Sequence, residues 1–176
     1  MSDLFVGVDP DTVAPAYALV REGVVVQAGL IRGDREFEDL PLELRLARLA
    51  VFAPQKLAKI IGDQSGLTFR LFVESQFLSG ASCAPAIMAL GRVAGIMAAT
   101  CSHFASFARC EFVKPVTWKG SVKKEVHQAR LLKDPAIAAH IIRVDALDQW
   151  RYTKDQRADV IDACGIALWA YRRSRS

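Results

Sequence analysis

Two apolar runs that each stop on a carboxylate limit the folds open to this chain. Leu4-Phe5-Val6-Gly7-Val8 ends at Asp9-Pro10, and Phe69-Arg70-Leu71-Phe72-Val73 ends at Glu74. Buried strands read as near-continuous apolar runs, and a proline cannot donate to a central ladder, so each acid is expected at a strand exit. Open α/β sheets place their sites at such exits. A third acidic signature, Asp159 with Asp162, opens the last helical segment. Carboxylates converging from separate segments repel one another unless a divalent cation neutralises them, which predicts a magnesium-type metal site.

The 176 residues suffice for one domain with a real core, expected over 1–176, and are few for two. A hydrophobic share of 52% excludes general disorder. The formal charge of +4 permits nucleic-acid binding without demanding it, so the distribution of charge matters more than the sum. Cys83, Cys101, Cys110 and Cys164 show no zinc-ligand spacing and lie in apolar stretches, as reduced, buried thiols do. No segment has the pattern of a signal peptide, and the most apolar stretch, Ala84 to Thr100, contains Arg92 and is short for a bilayer span. A soluble cytoplasmic protein, not a membrane one, is expected.

The order of elements is strand, turn, strand, strand, then α-β-α-β and a closing helix. Leu4–Asp9 is followed by a turn over Pro10–Pro15 and a hairpin of Ala16–Arg21 with Val24–Ile31 about Glu22-Gly23. Leu42, Leu46, Leu49, Phe52 and Leu57 have helical spacing within Leu40–Ile61, where Pro54 is expected to kink or divide the helix. Gly62–Gly66 reads as a turn, Pro85–Phe104 as a helix apolar nearly all round, and Phe107–Lys114 as a strand stopped by Pro115. One or two short helices in a basic stretch and a helix over Gln156–Arg173 complete a mixed-sheet α/β domain.

This order, with acids at these elements, resembles the ribonuclease H-like superfamily and, within it, the RuvC family of Holliday junction resolvases. Gly7-Val8-Asp9-Pro10 matches the family's opening motif. Glu74 with Phe77 matches a Glu ending the fourth strand with a Phe three positions on. Leu90-Gly91-Arg92-Val93-Ala94-Gly95 resembles its small-residue helix, and Asp159-Val160-Ile161-Asp162-Ala163 its last-helix signature. The chain departs from the family in having Asp11 after Asp-Pro, Ala16-Tyr17-Ala18 in the second strand, and a loop reduced to Lys119-Gly120-Ser121. The resemblance implies a five-stranded mixed sheet flanked by helices, and a divergent, phage-type member fits these departures.

The chemistry implied is Mg²⁺-dependent cleavage of four-way DNA junctions by paired, symmetric nicks, leaving 5′-phosphate and 3′-hydroxyl ends. Two Mg²⁺ ions roughly 3.5–4 Å apart can serve both the attacking and leaving oxygens if three or four carboxylates hold them. Hard oxygen donors suit Mg²⁺, with Mn²⁺ able to substitute. Asp9, Glu74, Asp159 and Asp162 supply the set, with Asp11 and Asp155 as spare candidates. The bland alternative is a pair of solvated strand ends and a polar helix face. Asp155, Asp159 and Asp162 stand at i, i+4 and i+7 on one face that continues with Ile166 and Trp169. A fully solvated face would not carry those two, so the acids are expected to point at protein or substrate.

Lys114, Lys119, Lys123, Lys124, Arg130 and Lys133 crowd one segment beside Trp118, an aromatic surface for DNA or part of an ordinary solvated helix. The resemblance puts phosphate-contacting lysines here, at Lys119 and Lys124. It also implies that Phe77 stacks on an unpaired base, a contact worth ~1–3 kcal/mol; the alternative is a core phenylalanine. His103, His127 and His140 have no metal spacing and read as surface or structural. The small residues of Pro85–Phe104 fit either an internal helix or a homodimer interface; the resemblance implies the latter, matching the two-fold symmetry of a junction. A general branched-DNA or flap nuclease and a non-catalytic DNA-binding module are the rival readings. A sugar-kinase or actin-type ATPase would need a duplicated domain and Gly-rich phosphate loops that this chain lacks.

Overall fold

Glu22 and Gly23 both adopt positive φ, 53° and 81°, the backbone of a tight two-residue hairpin that matches the twist of its strands. They join β2 (Ala16–Arg21) to β3 (Val24–Leu30) in the computed structural model, which describes residues 3–34, 36–62, 68–75, 84–103, 109–138 and 152–176. β1 (Asp3–Asp9) pairs antiparallel with β2 and parallel with β4 (Thr68–Glu74), and β4 pairs parallel with β5 (Arg109–Val113). The sheet order is β3-β2-β1-β4-β5, so the two strands that end on acids lie side by side at its centre. The mixed five-stranded sheet expected from the sequence is the one observed.

Alternation along the central strands sorts the core into two layers. Leu4, Val6 and Val8 of β1, with Phe69, Leu71 and Val73 of β4, face α1 (Leu42–Gly62) and α2 (Ala84–Ala98). Phe5 and Phe72 point the other way, toward α5 (Lys154–Arg173). The register pairs Val8 with Val73, so Asp9 and Glu74 follow one step on and share the α5 face. That parity aims both strand-end acids at the helix carrying Asp159 and Asp162.

Helix α5 sits unusually close to the sheet. A Cβ on Gly7 would lie 2.3 Å from the Ala163 carbonyl oxygen and 2.6 Å from the Ala167 nitrogen. Ala16 and Ala18 from β2 and Ala163 and Ala167 from α5 keep that interface thin, and every residue from Ile161 to Leu168 is buried. On the far side of α5 stand α3 (Pro115–Lys119) and α4 (Lys124–Leu131), and a Cβ on Gly165 would come within 2.7 Å of Trp118 and Leu131. A thin interface at both glycines holds α5 between sheet and α3–α4 layer.

Three expectations are corrected. Pro54 does not divide α1, which is one helix from Leu42 to Gly62; Leu46, Leu49, Ala53, Leu57 and Ile61 anchor it to the core on both sides of the lost hydrogen bond. Helix α5 begins two residues before Gln156, because Thr153 and Gln156 form a reciprocal capping box. The helix expected over Pro85–Phe104 ends at Ala98 and continues as a 3₁₀ turn, Ala99–His103, residue 104 lying outside the described residues. Of the two readings left open for α2, the fully internal one is not observed. It buries Ala89, Val93, Ala94 and Met97 and exposes Pro85, Ala86, Met88, Gly91, Arg92 and Gly95.

The stretch Ala84–Cys101 is long and apolar enough to cross a membrane by composition. It packs instead on α1 and the sheet, and Arg92 makes an ion pair of 3.0 Å with Glu43 on α1. Its apolarity serves the core on its buried side, at Ala89, Val93, Ala94 and Met97. The strand expected over Phe107–Lys114 is β5, and of the cysteines Cys101, Cys110 and Cys164 are free thiols. The turn expected over Gly62–Gly66 lies mostly outside the described residues.

The two glycine environments generate a test. Gly7→Ala forces α5 backbone away from β1 and should cost about 1–3 kcal/mol. Gly95→Ala meets nothing within 4 Å and should stabilise the isolated chain by up to ~1 kcal/mol through helix propensity. Urea unfolding of the two variants measures both; equal midpoints would show that α5 is free to move off the sheet.

Candidate active site

Asp9, Glu74, Asp159 and Asp162 line one cleft of about 420 Å³, shared with Pro10, Asp11, Leu90, Pro115, Lys119 and Lys124. Three of the four acids are nearly inaccessible: Asp9 is 8% exposed, Glu74 2% and Asp162 2%. Each arrives from a different rigid element. Asp9 ends β1, Glu74 ends β4, and Asp159 and Asp162 lie on the sheet-facing half of α5. A larger concavity of about 530 Å³ around Arg70, Tyr171 and Arg175, at the start of β1, lies away from these acids.

The carboxylates are met by donors from α3 and α4. Trp118 Nε1–H donates to Glu74 Oε2 at 2.8 Å, and Lys119 Nζ lies 3.5 Å from the same oxygen. Lys124 Nζ bridges Asp159 Oδ1 at 3.4 Å and Asp162 Oδ2 at 3.5 Å. Gln128 Nε2 donates to Asp162 Oδ1 at 3.0 Å and to the Ala158 carbonyl at 3.3 Å. Among the described residues none donates a hydrogen bond to the Asp9 carboxylate. Asp11, also in the cleft, commits Oδ1 to the backbone N–H groups of Val13 and Ala14, both at 2.8 Å, and shapes the turn after β1.

Burial pushes the Asp9 carboxyl well above its ordinary range, and Glu74, Asp159 and Asp162 push it further, with Lys124 opposing. Asp159 is raised as well, by burial first, while Lys124 pulls it down. Burial alone would lower the Lys124 ammonium, but Asp162, Asp159 and Asp9 outweigh it and raise it. His127 is lowered, chiefly by burial, and packs edge-on against Trp118 at 4.9 Å. The site is a concentration of negative charge that the protein itself only partly neutralises.

Among the described residues no three Asp, Glu, His or Cys side chains already form a ready-made metal cage. The donor set nevertheless fits Mg²⁺: all four acids offer hard oxygen atoms, and Asp9 is a buried carboxylate to which no described residue donates a hydrogen bond. The two lysines hold the carboxylates that a cation would otherwise draw together.

The other expected residues are distributed unevenly. Lys123 and Arg130 are exposed on the same basic segment without lining the cleft, and Asp155 is exposed at the start of α5. Phe77 lies outside the described residues. Trp118 corrects its expected role. It is only 7% exposed, and its indole edge meets Glu74. A base could not stack on it without opening the core. Gln128 drew no attention in the sequence, yet it stands four residues after Lys124, on the same face of α4. That spacing was the available signal.

No protein-family model and no curated protein matches the sequence. Solved structures do match it over nearly its full length. The Thermus thermophilus RuvC structure is 14% identical with a TM-score of 0.56, over 99% of this chain and 96% of that one. T. thermophilus RuvC in complex with a Holliday junction substrate is 13% identical with a TM-score of 0.56, over 99% and 95%. The yeast mitochondrial Holliday junction resolvase is 12% identical with a TM-score of 0.54, over 98% and 80%. The chain therefore has the ribonuclease H-like fold in its RuvC-type form.

The charge balance predicts how the metal-free protein responds to pH. A carboxyl raised on folding binds its proton more tightly in the folded state, so stability falls as pH rises from the unfolded value of 3.8 through the raised folded value of Asp9. Asp159 acts in the same sense. Asp9→Asn should therefore unfold at a higher temperature than wild type in chelator at neutral pH, and lose most of that advantage in acid. Thermal melts across pH check this; coincident curves would show that neither burial nor the neighbouring carboxylates raise Asp9.

Proposed function

We propose that this protein is a Mg²⁺-dependent, structure-specific endonuclease that resolves four-way DNA junctions by paired, symmetric nicks. The observation that carries the reading is the convergence of Asp9, Glu74, Asp159 and Asp162 with Lys119 and Lys124 in one cleft of a RuvC-type fold. One matching structure is, in its own description, a complex with a Holliday junction substrate. A protein acting on DNA in the cytoplasm accords with the reduced thiols and the basic α3–α4 segment.

Asp9, Glu74, Asp159 and Asp162 would hold the metal, two ions per site, with Mn²⁺ able to replace Mg²⁺. When bound, the metal neutralises charge on the attacking and leaving oxygens of a phosphodiester. The chain's own residues do the rest. The buried walls at Asp9, Glu74 and Asp162 fix three carboxylates on rigid elements, so little reorganisation is needed when phosphate arrives. Lys119 and Lys124 stand at the rim, where their ammonium groups can pass from carboxylate to phosphate oxygen. Lys123 and Arg130 extend the positive surface along the same segment for the flanking backbone.

Paired nicks need two sites, and the exposed small-residue face of α2 offers the surface for a homodimer. Met88 is 59% exposed there, and side chains at Gly91 and Gly95 would meet open space. An apolar helical face of this kind is ordinarily covered.

Cleavage of a four-way junction beside a flap and a linear duplex of matched sequence, with Asp9→Asn as control, tests the function. Paired nicks on the junction alone, dependent on Mg²⁺ and lost in the variant, are expected. Equal cutting of the flap would reduce the protein to a general branched-DNA nuclease, and no cutting would leave a DNA-binding module. For the dimer, Met88→Glu should shift the protein to monomer by light scattering and convert paired nicks to single ones. An unchanged mass would remove α2 from the interface.

A further inference from the structure

The two most deeply buried acids each receive a hydrogen bond from an uncharged donor on the α3–α4 segment. Trp118 reaches Glu74 at 2.8 Å and Gln128 reaches Asp162 at 3.0 Å. Lysine and neutral donor thus come in pairs: Lys119 beside Trp118 on Glu74, and Lys124 beside Gln128 on Asp162. The two kinds of donor differ in what they do to a carboxylate. An ammonium cancels its charge and competes with a cation. An indole or amide N–H orients it and leaves the charge in place.

Both neutral donors are themselves locked. The Trp118 ring lies against Gly165 of α5, where a Cβ would stand 2.7 Å from Cζ3, and His127 packs on it edge-to-face at 4.9 Å and 77°. An indole has one donor and no acceptor, so a fixed ring gives Glu74 Oε2 one direction from which to be held. The Gln128 amide is tied by a second bond to the Ala158 carbonyl, one turn of α5 before Asp162. Trp118 thus ties Glu74 of β4 to the helix that carries Asp159 and Asp162, and Gln128 ties Asp162 and the preceding turn of that same helix to α4.

We infer that Trp118 and Gln128 are positioning residues, which set the orientation of Glu74 and Asp162 for divalent-cation binding while the lysines exchange from carboxylate to phosphate. The α3–α4 segment then has two functions. Its cations face DNA, and its neutral donors face the acids. This inference rests on the metal-dependent nuclease reading above. Partners that orient metal-binding carboxylates characteristically affect metal affinity or activity by about 10–100-fold when removed.

The test uses the full chain with Trp118→Phe, which retains the ring and deletes the N–H, and separately Gln128→Met, which retains length and deletes the amide. Mn²⁺ affinity is measured by calorimetry without DNA, alongside junction affinity in chelator and the kcat and KM of junction cleavage. Each variant should bind Mn²⁺ about 10–100-fold more weakly and lose kcat. Junction affinity in chelator and KM should stay within about twofold, because neither side chain faces DNA. A purely structural role would lower the thermal midpoint and leave the Mn²⁺ affinity of the folded protein unchanged, and that result would overturn the inference. Gln128 is half-buried, so its variant tests the point even if the Trp118 variant fails to fold. Wild-type protein that binds no Mn²⁺ would overturn the metal reading and this inference together. Binding by wild type and both variants alike would overturn this inference alone.

Discussion

The closeness of α5 to the sheet is the constraint on which the site depends. At Gly7 the helix backbone stands where a side chain would otherwise be, and this places Asp162 near the end of β1. The glycine two residues before Asp9 therefore acts through packing: it has no Cβ, so helix and strand approach as backbones. Parity does the remainder. Gly7 and Asp9 share a face of β1, so the position that admits the helix and the position that bears the acid cannot be separated by any shift of register. Gly165 repeats the device on the opposite side of α5, admitting Trp118 and, with it, the donor to Glu74.

That closeness sets an electrostatic problem. Packing brings four carboxylates into a wall largely shielded from water, where the mutual repulsion of Asp9, Glu74, Asp159 and Asp162 is least screened. Hydrophobic burial along Ile161–Leu168 holds the arrangement against it, since those residues lie in the same core that encloses Phe5, Phe72 and Val113. Lys119 and Lys124 relieve part of the repulsion, but half-exposed Lys124 has Asp9, Asp159 and Asp162 as opposing charges. Among the described residues Asp9 is left without a donor. A cation bound there, as proposed, would relieve a repulsion that the fold otherwise bears at the expense of its own stability.

Much of this was legible from residue order. A buried strand announces itself by uninterrupted apolar residues, and an acid that ends it, beside Pro10 or at Glu74, is readable because the run stops abruptly. The face shared by Asp159 and Asp162 follows from helical spacing. Trp118 was misread because local sequence shows an aromatic among lysines, a pattern that fits DNA stacking, while its burial depends on Gly165, nearly fifty residues away. Gln128 was missed for a related reason: an amide carries no charge or periodicity that marks it until the opposing carboxylate is known. That Pro54 does not divide α1 was likewise hidden, since the local penalty of a proline was visible and the tertiary anchoring of the helix was not.

Helix α2 shows how the same fold serves both the site and its surroundings. Leu90 forms part of the wall of the acidic cleft, while Met88 and Gly91, on either side of it in sequence, face outward. Val93 and Met97 meanwhile hold the helix on the core through α1 and β4. A partner seated on the outer face would thus be connected to the cleft by a rigid helix, so its position would fix the separation and relative direction of two clefts. For a reaction on two strands related by a two-fold axis, that spacing determines which phosphodiesters are reached together. Selectivity for a four-way junction over a flap would then reside in the geometry of α2, and the chemistry of the acids would be common to both substrates.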